Sequence, residues 1–171
     1  MRRRDREITG FDNIIKVMKA CEVCHVAFHD DEYPYVVPLT FGLEVKDNYA
    51  VNLYFHGAKE GRKHNLMKKN NKVSFVMEDT NGIVTGPQVG ECECTMEFES
   101  VMGTGTIEYV AEEEKIAALQ TMLQQYAIEE GKDNYQFHRE VVPRIHLLRL
   151  RVNSLSAKIR DVTLQKYTPK R

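Results

Sequence analysis

Most of the strand-like runs in this chain follow one another through short turns, and that feature points to antiparallel pairing rather than to a parallel sheet built from βαβ units, whose crossovers need a dozen residues or more. Residues 23–29 alternate, with Val23, His25, Ala27 and His29 on one face and Cys24, Val26 and Phe28 on the other. Asp30-Asp31-Glu32 is a polar turn. Residues 33–45 are extended but interrupted by Pro34 and Pro38, Lys46-Asp47-Asn48 forms a hairpin turn, and residues 49–56 return as a strand. Further on, residues 73–78 form a strand, 80–91 a loop containing glycine and proline, and 92–109 one or two strands bent at Gly103 or Gly105. Residues 145–152 and 155–159 supply the last strands. Three stretches carry helical spacing instead: 11–20 with Phe11, Ile14, Ile15 and Met18 on one face, 59–70 with Leu66 and Met67, and 111–127 with Ile116, Leu119, Leu123 and Tyr126. The expectation is a mainly β, α+β domain spanning 1–171: an antiparallel barrel of six or seven strands with helices at its openings.

Length and composition fit that expectation. A chain of 171 residues can bury a core without disulfides. It has a 42% apolar and 29% charged composition and a net charge of −1, so no general affinity for nucleic acid follows. Arg2-Arg3-Arg4 resembles the basic start of a signal peptide, but no apolar run follows, and no stretch approaches a membrane span. A cytoplasmic location with reduced cysteines is expected. Cys21, Cys24, Cys92 and Cys94 are spaced poorly for zinc, because the second pair is separated by one residue, so no metal is expected. His25 and His29 are read as ordinary strand positions in preference to haem or metal ligands. Ile116, Leu119, Leu123 and Tyr126 are read as core or dimer-contact residues, and Arg149 and Arg151 as a solvated or interfacial strand face.

Two segments break local rules. In Tyr54-Phe55-His56-Gly57-Ala58-Lys59-Glu60-Gly61-Arg62-Lys63 a strand runs through a glycine-containing turn into a helix whose first turn holds two cations. The helix macrodipole is positive there, so Arg62 and Lys63 are misplaced unless an anion joins them. Lys59, Arg62, Lys63, Lys68, Lys69 and Lys72 face only one acid, Glu60, over this stretch. A solvated basic helix and a phosphate site are both compatible with it; a Walker loop is not, since the glycine spacing is wrong and no Ser or Thr follows Lys63. The second segment, Pro34-Tyr35-Val36-Val37-Pro38, lacks two N–H donors. It reads either as an edge strand protected from aggregation or as a broken ladder on which a flat heterocycle could lie.

The order strand, hairpin, strand, helix around these two segments resembles the FMN-binding split barrels of the pyridoxamine 5'-phosphate oxidase-like superfamily, especially the nitroimidazole reductase (Nim-type) branch. The resemblance is carried by Arg2-Arg3-Arg4-Asp5-Arg6-Glu7-Ile8, Pro34-Tyr35-Val36-Val37-Pro38-Leu39-Thr40-Phe41-Gly42, Leu53 to Lys63, and Glu99-Ser100-Val101-Met102-Gly103-Thr104-Gly105. It implies an antiparallel six-stranded split β-barrel that forms a homodimer with FMN in the clefts between subunits. It further implies that Arg62 and Lys63 bind the FMN phosphate, that Val36, Val37, Pro38, Leu39 and Thr40 face the isoalloxazine, and that Tyr54, Phe55, His56 and Gly57 line the ribityl and phosphate path. The same resemblance implies that Ser100 approaches the cofactor from one of the subunits.

The activity so implied is an FMN-dependent reductase of small molecules, nitroaromatics by resemblance. No G-x-G-x-x-G fingerprint is present, so NAD(P)H would dock over the flavin and leave before the second substrate arrives. His56 is the candidate proton donor, because an imidazole exchanges protons near neutral pH. A non-catalytic flavin carrier and a haem-binding split barrel are the alternatives. Pyridoxamine-phosphate oxidase activity itself is disfavoured, since that enzyme's Arg- and Trp-rich C-terminal signature is absent from a chain without Trp.

Overall fold

The computed structural model describes residues 3–85, 94–126, 135–138 and 140–161. Arg2, Cys92, residues 86–91 of the expected loop, Ala127 at the end of the third helix, most of the irregular stretch 129–141 and the tail at Pro169-Lys170-Arg171 lie outside them. Eight strands and three α-helices occur among the described residues. They run β1 (Glu7–Ile8), α1 (Phe11–Ala20), β2 (Cys24–Phe28), β3 (Tyr35–Leu39), β4 (Gly42–Val45), β5 (Val51–Gly57), α2 (Arg62–Lys69), β6 (Lys72–Val84), β7 (Thr95–Tyr109), α3 (Lys115–Gln125) and β8 (His146–Arg160). No described helix is long and apolar enough to cross a membrane.

All strand pairs are antiparallel, and the sheet runs β3-β2-β6-β7-β8-β5-β4, with β1 added to β8. The sheet ends on β3 and β4, which are not paired with each other yet are joined by Thr40 and Phe41 alone. A two-residue link holds those edges close, so the sheet curls round on itself and stays open along that seam: a split barrel of the α+β class. The strand count exceeds the expected six partly because two strands are very short, β1 with two residues and β4 with four.

Alternation sets the interior. Cys24, Val26 and Phe28 of β2, Val51, Leu53 and Phe55 of β5, Val73, Phe75 and Met77 of β6, and Leu148 and Leu150 of β8 are buried in one core. Ile15, Val17 and Met18 of α1 and Leu66 and Met67 of α2 join that core. α3 instead packs on the outer face of β4 and β5, where Ala118 and Met122 cover Tyr54 and Leu147.

Two expected breaks turn out to be bulges within long strands. β6 continues past residue 78 to Val84, with a register shift between Thr80 and Gly82. β8 is one strand where two were expected, because its ladder with β7 skips Asn153 at Thr104/Gly105. A bulge absorbs one extra residue without ending a strand.

Candidate functional site

The pleat divides the sequence-derived site residues into two groups. On β3, Val36 and Pro38 are exposed on the outer face and Thr40 follows them, while Val37 and Leu39 pack inward on the core. On β5, Tyr54 and His56 face outward and Phe55 is fully buried in the barrel. Any contact of Val37, Leu39 or Phe55 with a ligand on the outer face must therefore use backbone atoms. Ser100 also faces outward, but on β7, three strand spacings from β3, roughly 14 Å at ~4.8 Å per strand. A single chain does not bring it to the others.

Thr40 and His56 meet at a cavity of about 450 Å³ beneath α3, within the usual range for small-molecule sites. Its remaining walls are Leu119, Met122, Leu123, Tyr126, Phe137 and Ile145. The stripe read from sequence as core or dimer-contact residues divides: Leu119, Leu123 and Tyr126 line a cavity, Leu119 also packing on the core beneath α3, and Ile116 is exposed. Gly42 explains how α3 is seated. A Cβ there would lie 2.7 Å from the Met122 backbone, so only glycine lets the helix come this close. The Tyr126 hydroxyl accepts the Phe41 N–H (2.8 Å) and donates to the Glu22 carbonyl (3.0 Å). Among the described residues the His56 imidazole has no hydrogen-bond partner.

The anion-binding candidates begin one residue further along. Gly61 caps α2 with φ +140°, a conformation that L side chains rarely adopt, and Arg62 and Lys63 open the first turn, where their own amides have no partner within the helix while the His64 amide bonds the Gly61 carbonyl. Lys63 folds back over the strand end: its Nζ would lie 3.1 Å from a Cβ at Gly57. No described carboxylate pairs with it. Arg62 differs. Its Nε donates to Asp30 Oδ2 at 2.9 Å, with Nη2 on the same oxygen, and its guanidinium lies over the Tyr35 ring, 4.9 Å from the centroid. The Asp31 amide, with Arg62, holds the Asp30 carboxyl below its ordinary range. A phosphate would have to share Arg62 with Asp30, whereas Lys63 is available outright.

Sequence reasoning missed two features. His64 is buried between the Ala58 carbonyl and the Tyr109 hydroxyl, each 2.8 Å away. Its helical position in a polar segment gave no cue, because both partners come from other elements. Arg149, read as part of a solvated or interfacial strand face, is instead buried in an ion network. Nε and Nη1 donate to Glu108 (2.8 Å) and Glu114 (2.7 Å), and Glu108 also accepts Arg151. Burial opposes the Arg149 charge, but the bonds to Glu114, Glu108 and Tyr54 outweigh it and hold the guanidinium firmly protonated. Beside it the Tyr54 hydroxyl is pushed up to about 12 by burial and by its bond to Glu44. The Tyr54 side chain belongs to this network and lies under α3.

Cys21 and Cys24 are buried free thiols; burial pushes Cys21 up to about 12 and raises Cys24 further, which keeps both protonated and unreactive. No cluster of three or more His, Cys, Asp or Glu able to hold a metal occurs among the described residues.

These features can be set beside known proteins. No curated protein matches the chain. Among solved structures, a candidate 5-nitroimidazole antibiotic resistance protein from Bacteroides thetaiotaomicron is 26% identical, with a TM-score of 0.72, over 90% of this chain and 86% of that one. A flavocytochrome from Azotobacter vinelandii is 19% identical with a TM-score of 0.74, over 100% of this chain and 79% of its own. An FAD- and haem-binding protein from Mycobacterium smegmatis is 18% identical with a TM-score of 0.75, over 91% and 74%. At such identities the last two show a shared fold alone. The sequence pattern of pyridoxamine 5'-phosphate oxidase matches residues 12–159, so this split barrel, with its seam between β3 and β4, belongs to that family.

Proposed function

We propose that this chain binds FMN and works as an FMN-dependent reductase. One observation carries the reading: the unpaired Lys63 ammonium lies against Gly57, the residue next to His56, which lines the apolar cavity. A cationic end and an apolar end therefore sit at neighbouring residues of one strand end, and the ribityl chain of FMN would run from one to the other. The Lys63 ammonium, the backbone amides of Arg62 and Lys63 and a shared Arg62 guanidinium hold the phosphate. Pro38, Thr40 and His56 flank the ring. When bound, flavin supplies two-electron redox chemistry that amino-acid side chains lack. NAD(P)H is the electron source, and the cavity walls admit a small, largely apolar acceptor such as a nitroaromatic. His56, whose imidazole has no other hydrogen-bond partner among the described residues, donates a proton to it.

The dimer belongs to the same reading. On the outer face of β3, β2, β6 and β7, Val36 and Met102 are 52% and 45% exposed, and Ser100 Oγ is buried without a hydrogen-bond partner among the described residues. A second copy covering this face would bury the apolar pair. A cytoplasmic location completes the proposal, since that is where NAD(P)H is available.

The test is optical. Purified protein titrated with FMN should bind it, and anaerobic NAD(P)H should then bleach the flavin absorbance. Binding without bleaching makes the chain a carrier, and no binding removes the proposal. A second reading has its own support: an unpartnered imidazole at the mouth of an apolar cavity suits an axial haem ligand, and similar folds include a flavocytochrome. A Soret band lost in His56→Ala would establish it.

A further inference from the structure

His64 is 4% exposed and ties its own helix to two other segments. Its Nε2 lies 2.8 Å from the Ala58 carbonyl oxygen and its Nδ1 2.8 Å from the Tyr109 hydroxyl. A carbonyl can only accept, so Nε2 carries the hydrogen; the bare Nδ1 of the neutral ring then accepts the Tyr109 O–H. The two rings stack with centroids 5.7 Å apart and planes 5° from parallel, which fixes the imidazole against rotation. Ala58 belongs to the turn between β5 and α2, bounded by Gly57 and Gly61, and no side chain caps the helix that follows. Two glycines in so short a turn leave it costly to order unless something else holds it.

We propose that His64 is a positioning residue for the phosphate end of the cofactor site, fixing the Ala58 carbonyl and thereby the distance between Gly57 and the cations that open α2. This rests on the FMN reading above. His64 need not touch the cofactor: it holds the turn on which Lys63 and the free amides converge. Its influence should therefore be confined to the phosphate and absent from the ring.

That selectivity supplies the test. Dissociation constants for FMN and for riboflavin, which lacks the phosphate, are measured by flavin fluorescence in the wild type, His64→Leu, His64→Gln and Tyr109→Phe. His64→Leu leaves the Ala58 carbonyl without its donor and should weaken FMN by about tenfold, while riboflavin changes by less than about twofold. His64→Gln, whose amide can donate from the place of Nε2, should recover most of the FMN affinity. Tyr109→Phe keeps the stacked ring and should give a smaller FMN-specific loss; it decides the matter if His64→Leu fails to fold. Equal losses for both flavins, or unchanged FMN affinity in His64→Leu and Tyr109→Phe, would overturn the proposal. A wild type that binds neither flavin, or both equally well, would remove the phosphate reading and this inference with it.

Discussion

Lys63 and Arg62 stand side by side in sequence, yet they are not equivalent. Arg62 spends two of its donors on Asp30, 32 positions earlier, and Lys63 has no described acid to pair with. Lys63→Ala should therefore cost most of a charge-assisted contact, about 1.5–3 kcal/mol of FMN binding, and Arg62→Ala less, as isothermal titration would read directly. The adjacency of two cations at a helix start was legible from sequence; the competing carboxylate was not, because it arrives from the β2–β3 turn. His64 carries a separate expectation for pH. Its pKa is lowered in the folded chain, by burial first and then by the nearby charges of Lys63, His146 and Lys68. A depressed value favours the neutral ring, so its contribution to stability is whole above the unfolded value of ~6.5 and is lost as pH falls through the folded value. The thermal midpoint should drop between pH 7 and pH 5, and His64→Gln should flatten that part of the profile.

At the level of elements, α3 shows why a periodic stripe can mislead. Ile116, Leu119, Leu123 and Tyr126 share a helical face, but the rotation of the helix is set by what lies beneath it. Gly42 and Ala118 permit a close approach that turns Ala118 and Met122 to the sheet and leaves Leu119 and Leu123 on the cavity wall. Gly42→Ala would press a methyl group onto the Met122 backbone and should cost about 1–3 kcal/mol, measured by urea unfolding, with loss of cavity binding as α3 shifts. The strands were easier to read. α1 and β2 matched their sequence patterns almost to the residue, since alternation and helical spacing report burial directly. Asn153 and the Thr80–Gly82 step looked like strand ends because a bulge and a turn use the same residue types.

Over the whole molecule, the class of fold was visible in the chain of short connections, whereas the seam was expected only through the family resemblance, since a curled sheet depends on pairings between distant strands. Assembly lies at this scale too. If the outer face around Val36, Met102 and Ser100 meets a second copy, light scattering should give a dimer at micromolar concentration, and Met102→Glu should yield monomers with weakened FMN binding. A 19.8 kDa monomer for the wild type would remove that interface.

The Tyr126 phenol fastens the link between the two unpaired sheet edges and also forms part of the wall beneath α3. An occupant of that hollow would press on the very bolt that keeps the barrel's cut from gaping. Hydrogen exchange at the Phe41 amide should therefore slow when the hollow is filled, making one backbone proton a gauge of occupancy that requires neither colour nor turnover.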